Sequence, residues 1–264
     1  MLTINELYDL SHSLAGDYLK QFTYPWEALA GISDLILEIG KQLPEDEYVH
    51  PTDWDGNVLE DVWVAKDATV FKTAYLHGPC IIGHRTEVRQ CAFIRGSALV
   101  GNDCVVGNST ELKNVILFDN VQVPHYNYVG DSILGYKSHM GAGSITSNVK
   151  SDKLLVVVKD GAEQVETGRK KVGAMLGDRV EVTDEGGSVW MGRTSDSFRY
   201  DSHCVTVVEI SYVGAPGGTQ QSGSAGERRS SEMSELSAAA GSEGYAACSD
   251  DGQVSRETGK EGQA

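Results

Sequence analysis

The chain has 264 residues, a formal net charge of −16 and a pI of about 4.8. So acidic a chain repels phosphate backbones, which argues against nucleic acid and anionic membranes as partners. Its five cysteines are odd in number and show no C-x-x-C spacing, so they indicate neither a disulfide framework nor a zinc site. The first residues lack signal-peptide character, and no apolar run approaches the roughly 20 residues of a membrane span. We therefore expect a cytoplasmic protein.

Residues 1–60 form an acidic region with two segments, 5–20 and 25–42, whose apolar residues recur at helical spacing. Pro25 suits the first turn of the second helix. We expect a short N-terminal α-helical cap. Its predicted role is to pack on the first coil of the next domain, which otherwise exposes an open sheet edge.

An aliphatic residue then recurs at every sixth position, and a small residue stands four positions after most of these. The aliphatic positions are Val64, Val70, Leu76, Ile82, Val88, Ile94, Val100, Val106 and Leu112. Six residues advance about 600° around an α-helix, so a helix would scatter them, whereas a short strand and a corner keep them inward. A β-sandwich, with period-2 alternation, fits less well. The pattern predicts a mainly β chain with a hexapeptide-repeat parallel β-helix over residues 61–182.

The six-residue register is interrupted in two places before it ends. It slips after Leu112, resumes at Leu117 and slips again before Leu134, which predicts a loop or bulge leaving the coil at each slip. One more rung begins at Leu176. Residues 183–264 keep no period and become rich in Gly, Ser, Ala and Glu, which predicts an irregular to disordered tail. A shifted reading frame is the alternative explanation of this abrupt change.

Three segments of the coil region carry a family resemblance: 105–114 (VVGNSTELKN), 123–135 (VPHYNYVGDSILG) and 140–148 (MGAGSITSN). They resemble the acetyltransferase half of the bifunctional bacterial UDP-N-acetylglucosamine pyrophosphorylase/glucosamine-1-phosphate N-acetyltransferase, and more closely its short single-domain relatives. The resemblance covers roughly residues 60–182. It implies a left-handed parallel β-helix, usually a homotrimer with sites between subunits. Residues 1–60 lack the glycine-rich nucleotide loop of the pyrophosphorylase half, so we expect a relative without that half.

The resemblance also implies a set of site residues and a co-substrate, acetyl-CoA. The implied residues are His125 as general base, Ala142 with its backbone N–H on the developing oxyanion, Asn148 near the amine, Tyr128 on the sugar, and Lys113 with Arg95, or its competitor Arg89, on the phosphate. The residue types suit acyl transfer, because histidine titrates near neutral pH and fixed cations bind phosphate. His139 replaces an asparagine of the family, which alters the pocket.

His125 has other interpretations besides a catalytic base. It is a structural residue packed between Pro124 and Tyr126 in one, and a metal ligand in another. The other candidate ligands are His77, His84 and His139. The H-x-x-x-x-H pair of hexapeptide carbonic anhydrases is missing, so we expect no metal. The nearby Arg and Lys side chains are either a phosphate patch or solvated surface. Tyr126 and Tyr128 share one face if they lie on one strand, and either stack on a ligand or pack on another subunit.

The favoured function is a hexapeptide-repeat acyltransferase-like protein acting on a phosphorylated or nucleotide-linked amino sugar of the glucosamine-1-phosphate or UDP-N-acetylglucosamine type. The first alternative is a non-catalytic nucleotide-sugar-binding or regulatory protein. The second is a nucleotidyltransferase, a UDP-N-acetylglucosamine pyrophosphorylase by family name only. In each case the predicted partner is a small molecule.

Overall fold

The computed structural model describes residues 1–160, 162–182 and 191–192. These contain the helices α1 (Ile4–Leu7), α2 (Gly16–Leu19) and α3 (Ile32–Gly40), and 3-10 helices at Leu10–His12 and Pro25–Ala30. The strands are β1 (Tyr48–Val49), β2 (Val62–Ala65), β3 (Thr69–Val70), β4 (Tyr75–Leu76), β5 (Cys80–Ile82), β6 (Glu87–Val88), β7 (Phe93–Ile94), β8 (Ala98–Val100), β9 (Val105–Asn108), β10 (Glu111–Leu117), β11 (Gln122–His125), β12 (Tyr128–Leu134), β13 (His139–Met140), β14 (Val157–Asp160), β15 (Glu163–Glu166), β16 (Met175–Leu176), β17 (Glu181–Val182) and β18 (Met191–Gly192). Except for β18, the predicted tail lies outside the described residues. No helix in the described ranges has the length and apolar character of a membrane span.

The strands stack in parallel as successive coils of one solenoid. Val62 pairs with Cys80 and Cys80 with Ala98, so each of these coils takes 18 residues. Ala98 then pairs with Val115 and Val115 with Ser132, which are steps of 17. This mainly β architecture, with a few N-terminal helices, matches a left-handed parallel β-helix, and the predicted fold class is confirmed.

The solenoid has three sides, which we name by what covers them. The covered side consists of β2, β5, β8, the second halves of β10 and β12, and β16. The polar side consists of β3, β6, β9, β11, β13 and β17. The open side consists of β4, β7 and the first halves of β10 and β12. The candidate site lies on the open side and at its two corners.

The predicted inward column forms the core. From Ile82 to Leu112 the aliphatic residues at six-residue spacing are all fully buried, and the small residues that follow them are buried from Ala92 to Ala98 and beyond. In the first coil Val70 is only partly buried. Because one branched and one small side chain fill each short side, the stacked coils share one continuous core.

The corners explain why the chain turns at such regular intervals. A non-glycine residue with a positive φ recurs every five or six positions between residues 85 and 137: Arg85, Cys91, Ser97, Asp103, Ser109, Asn114, Asn120, Tyr126, Asp131 and Lys137. This backbone region is disfavoured for a side chain with a Cβ, so the ladders on both sides of each corner must hold it. The corners therefore depend on the stacking of the coils.

The register slips are shortened corners. β10 runs without interruption from Glu111 to Leu117, and β12 likewise passes through its corner. The prediction that a loop or bulge leaves the coil at these slips is therefore wrong, because each slip removes one corner residue. The segment that does leave the coils lies later. Ile133 pairs with Met175, a step of 42 residues, and the extra residues include the hairpin β14–β15.

The N-terminal helices lie along the covered side and not over the end of the first coil. α3 packs on β5, β8 and β10, and the 3-10 helix at Pro25–Ala30 packs on β12. The Tyr8 hydroxyl donates to the Ile133 carbonyl at 3.4 Å. Beneath the helices an outward column of apolar side chains is buried: Trp63, Ile81, Leu99, Ile116, Ile133 and Met175. The edge of the first coil is instead covered by β1, which pairs antiparallel with β2.

The first predicted helix, residues 5–20, is broken into short pieces. The Asp9 carboxylate accepts the Ser11 N–H at 3.1 Å, and the Ser13 hydroxyl accepts the Ala15 N–H at 3.1 Å. Such local side-chain bonds compete with the helical pattern, which explains the breaks.

We expect Leu99→Ala to lower the free energy of unfolding by about 2–5 kcal/mol, because Leu99 is fully buried on β8 beneath α3. Urea unfolding followed by circular dichroism measures the change. Gln122→Ala, at an exposed position on the polar side, is the control and should change it by at most about 0.5 kcal/mol. A loss for Leu99→Ala no larger than the control's would contradict the assignment of this column to the core.

Candidate functional site

The predicted sugar and phosphate residues meet where the open side turns into the covered side. The Arg95 N–H donates to the Leu112 carbonyl at 2.9 Å, which places Arg95 beside Lys113 of the next coil. Lys113 in turn pairs with Gly130 on β12. A Cβ at Gly130 would lie 2.5 Å from the Tyr128 hydroxyl, so the glycine leaves room for that side chain. The neighbouring coils therefore line up one functional residue each.

A buried carboxylate, Asp131, stands at the centre of this corner and is only 2% exposed. Its Oδ1 accepts from Asn114 Nδ2 at 2.9 Å, and its Oδ2 accepts from Asn148 Nδ2 at 2.6 Å. The Lys113 ammonium lies 3.4 and 3.5 Å from the two oxygens. Sequence reasoning missed Asp131. The signal that points to it is its corner position, with a φ of 50°, in the same Gly-Asp that follows Tyr128.

Tyr128 is joined to this cluster through Asn148, whose Nδ2 also donates to the tyrosine oxygen at 3.2 Å. Partial burial raises the pKa of Tyr128, and the hydrogen bond from Asn148 opposes that shift. The raised pKa keeps the phenol protonated at neutral pH, so the ring presents an O–H donor.

Each cation predicted to bind phosphate has a carboxylate partner within the chain. Arg95 Nη1 lies 2.6 Å from Glu111 Oε1, and Glu111 raises the pKa of that guanidinium. Lys113 faces Asp131, as described above. Arg89 Nη2 lies 2.9 Å from Glu87, after β6 on the polar side. The structure thus brings Arg95, and not Arg89, beside Lys113, and a bound phosphate must compete with these carboxylates or share their cations.

His125 ends β11 at the opposite corner of the open side, where it is exposed. The Gly143 N–H donates to the His125 carbonyl at 3.0 Å, so Ala142 of the next coil lies beside His125. Among the described residues no carbonyl accepts the Ala142 N–H. Tyr128 comes three residues after His125, which corresponds to about 10 Å along a strand. The two corners therefore border the same side of the solenoid.

The expectation that Tyr126 and Tyr128 share one strand face is wrong. Tyr126 has a φ of 51° and forms the corner between β11 and β12, whereas Tyr128 is the first residue of β12. Tyr126 is 66% exposed and Tyr128 is half-buried. The two rings therefore belong to different parts of the surface.

The histidines weighed as metal ligands do not converge. Within the ranges that the structure describes, no group of three or more His, Cys, Asp and Glu side chains could hold a metal ion. His84 Nδ1 lies 2.9 Å from Asp67, and His77 Nδ1 lies 2.8 Å from the Gly78 carbonyl. His139 Nδ1 lies 3.9 Å from Glu181, beyond hydrogen-bond distance.

Comparison with known proteins follows the same coils. Residues 76–187 match a family model described as the GMPPB C-terminal domain. The Bifunctional protein GlmU of Methanococcus maripaludis is 31% identical over 164 residues, which are 62% of this chain and 38% of that protein. The GlmU of Methanococcus aeolicus is 36% identical over 147 residues, 49% of this chain and 36% of that protein. The resemblance to the bifunctional GlmU proteins is confirmed.

Two further proteins are similar over shorter or more distant stretches. The bifunctional sugar-1-phosphate nucleotidylyltransferase/acetyltransferase of Sulfurisphaera tokodaii is 29% identical over 131 residues, 47% of this chain and 33% of that protein. The solved acetyltransferase domain of PglB from Neisseria gonorrhoeae FA1090 has 13% identity and a TM-score of 0.24, over 50% of this chain and 51% of that one. A score of this size supports no conclusion about function. The chain spans less than two fifths of the length of the curated relatives named here.

We expect Glu111→Gln to raise the affinity for inorganic phosphate about two- to fivefold, because it removes the counter-charge of Arg95 from a solvent-screened pair. Calorimetric titration with phosphate measures the change. Glu87→Gln makes the same substitution beside Arg89 and should leave the affinity unchanged. A rise with Glu87→Gln alone would assign the phosphate to Arg89.

Proposed function

We propose that this protein is a hexapeptide-repeat acyltransferase-like protein acting on a phosphorylated or nucleotide-linked amino sugar, with acetyl-CoA as the acyl donor. The observation that carries the proposal is the corner where Arg95, Lys113, Tyr128 and Asn148 meet, because it combines fixed positive charge with hydrogen-bonding groups. The name of the Sulfurisphaera relative, which includes sugar-1-phosphate and acetyltransferase, supports the substrate class.

The proposed reaction uses the two corners of the open side for different tasks. Arg95 and Lys113 hold the phosphate, while His125 takes a proton from the sugar amine as the nitrogen attacks the thioester carbonyl. The Ala142 N–H donates to the oxyanion that forms. The carbon–sulfur bond then breaks, the amide is complete, and the coenzyme A thiolate leaves and is protonated.

A homotrimer in the cytoplasm is part of the same proposal. The open side exposes apolar side chains in one column: Trp54 is 80% exposed, Tyr75 48%, Phe93 40% and Ile145 52%. The Tyr75 and Phe93 rings meet edge to face with centroids 5.6 Å apart. An apolar surface of this extent is typical of subunit interfaces, and the three-fold assembly follows from the family resemblance.

A non-catalytic protein that binds a nucleotide sugar is the second candidate. The observation that favours it is that the sugar and phosphate corner is assembled without His125 or Ala142, which lie at the other corner. Binding therefore does not require the proposed catalytic residues. The nucleotidyltransferase alternative rests only on the names of relatives.

We expect His125→Ala to lower the rate of acetyl transfer to glucosamine-1-phosphate by about 10²–10⁴-fold, because the amine loses its general base. The affinity for the sugar phosphate should stay within about twofold of the wild-type value, since binding residues are untouched. A thiol-release assay and calorimetry give the two quantities. His12→Ala, on the covered side, is the control variant and should retain the wild-type rate.

Two results would change this assignment. Wild-type protein that binds glucosamine-1-phosphate without turning it over would favour the non-catalytic candidate. Equal turnover in the wild type and in His125→Ala would show that another group takes the proton.

We expect Phe93→Asp to convert the trimer to monomers, because the exposed ring lies at the centre of the apolar column and a carboxylate there resists burial. Light scattering coupled to gel filtration measures the mass. Gln122→Asp, on the polar side, should leave the mass unchanged. A trimeric Phe93→Asp variant would place the interface elsewhere, and a monomeric wild type would contradict the trimer itself.

A further inference from the structure

The orientation of the Asn148 amide is fixed by chemistry. Asp131 is approached by the Asn114 amide, the Asn148 amide and the Lys113 ammonium, an arrangement suited to an ionised carboxylate. An ionised carboxylate only accepts hydrogen bonds. At 2.6 Å from Asp131 Oδ2, the group on Asn148 must therefore be its nitrogen, and its Oδ1 is directed away from Asp131.

This orientation passes on to Tyr128. The Asn148 Nδ2 that donates to Asp131 also donates to the Tyr128 oxygen at 3.2 Å. Because that oxygen already accepts from Asn148, the phenol O–H is free to donate in another direction. Tyr128 and Asn148 are each partly exposed, so both remaining groups can meet a ligand on the open side.

We propose that Asp131 is the positioning residue that sets the hydrogen-bond polarity of this corner, with Asn148 as an acceptor and Tyr128 as a donor toward the ligand. A hydroxyl or an amine matches this pair, because it offers a donor and an acceptor on one atom. The identity of the ligand rests on the proposed function, whereas the orientation of the two side chains does not.

The surroundings of Asp131 make the inference testable by a small change. Its φ of 50° is tolerated by Asp and Asn, so Asp131→Asn keeps the backbone and nearly the same shape. Asp103 offers a matched control, with a φ of 55° and an ion pair to Arg85 at 2.7 Å on a different corner. Asp103→Asn therefore makes the same substitution in the same conformation away from the site.

The first measurement needs no ligand. In protein labelled with ¹⁵N-asparagine, the side-chain amide of Asn148 is identified by its loss in Asn148→Ala. We expect its protons to exchange slowly in the wild type, and at least about tenfold faster in Asp131→Asn, since their acceptor is replaced by an amide that can offer a donor. Asp103→Asn should not change the exchange. Unchanged exchange in Asp131→Asn would overturn the proposal.

The second measurement separates positioning from a merely structural role. We expect Asp131→Asn to weaken glucosamine-1-phosphate about tenfold, as for the loss of one oriented hydrogen bond. Inorganic phosphate should bind as well or better, because the Lys113 ammonium loses its counter-charge. An equal loss for both ligands would reduce Asp131 to a structural residue. Wild-type protein that binds neither ligand would reject the proposed function, while the exchange result still decides the role of Asp131.

Discussion

The return of the chain to the same position after 18 or 17 residues is the constraint on which this structure depends. It requires left-handed corners such as Asp103 and Asn114, with φ of 55° and 56°, and each corner is held by the coils on either side. The same period builds the site. Lys113 and Asp131 are 18 positions apart, and Asp131 and Asn148 are 17 apart, so their side chains meet only because the coils are in register.

The sequence pattern predicted what repeats at six residues and missed what repeats at a whole coil. Ile94 and Val106 are recognisable because an inward aliphatic residue recurs on every short side. Leu99 and Ile116 recur only once per coil and on one side, so a period of six does not reveal them, although they determine where the helices lie. Motif resemblance supplied Lys113 and the other candidates. It did not reveal their carboxylate partners, which are specified by contacts between coils.

Electrostatics at the site are local and balanced, in contrast to the strongly acidic chain as a whole. Arg95 and Lys113 each face a carboxylate, and Asp131 is nearly inaccessible to solvent. Paired charges of this kind contribute less long-range attraction than a positive patch, but they hold donors and acceptors in defined directions. Recognition at this corner therefore depends more on the geometry of hydrogen bonds than on a net field.

The position of the N-terminal helices has a consequence for how the protein is made. Tyr8 bonds to Ile133, 125 positions later, and Leu7 accepts a hydrogen bond from Asp178. Translation proceeds from the N-terminus, so these residues leave the ribosome long before their partners exist. The coils can stack one after another as they emerge, but the apolar column at Leu99 and Ile116 acquires its complete cover only after Asp178 has been synthesised. Nascent chains of this protein thus expose that column for most of their synthesis.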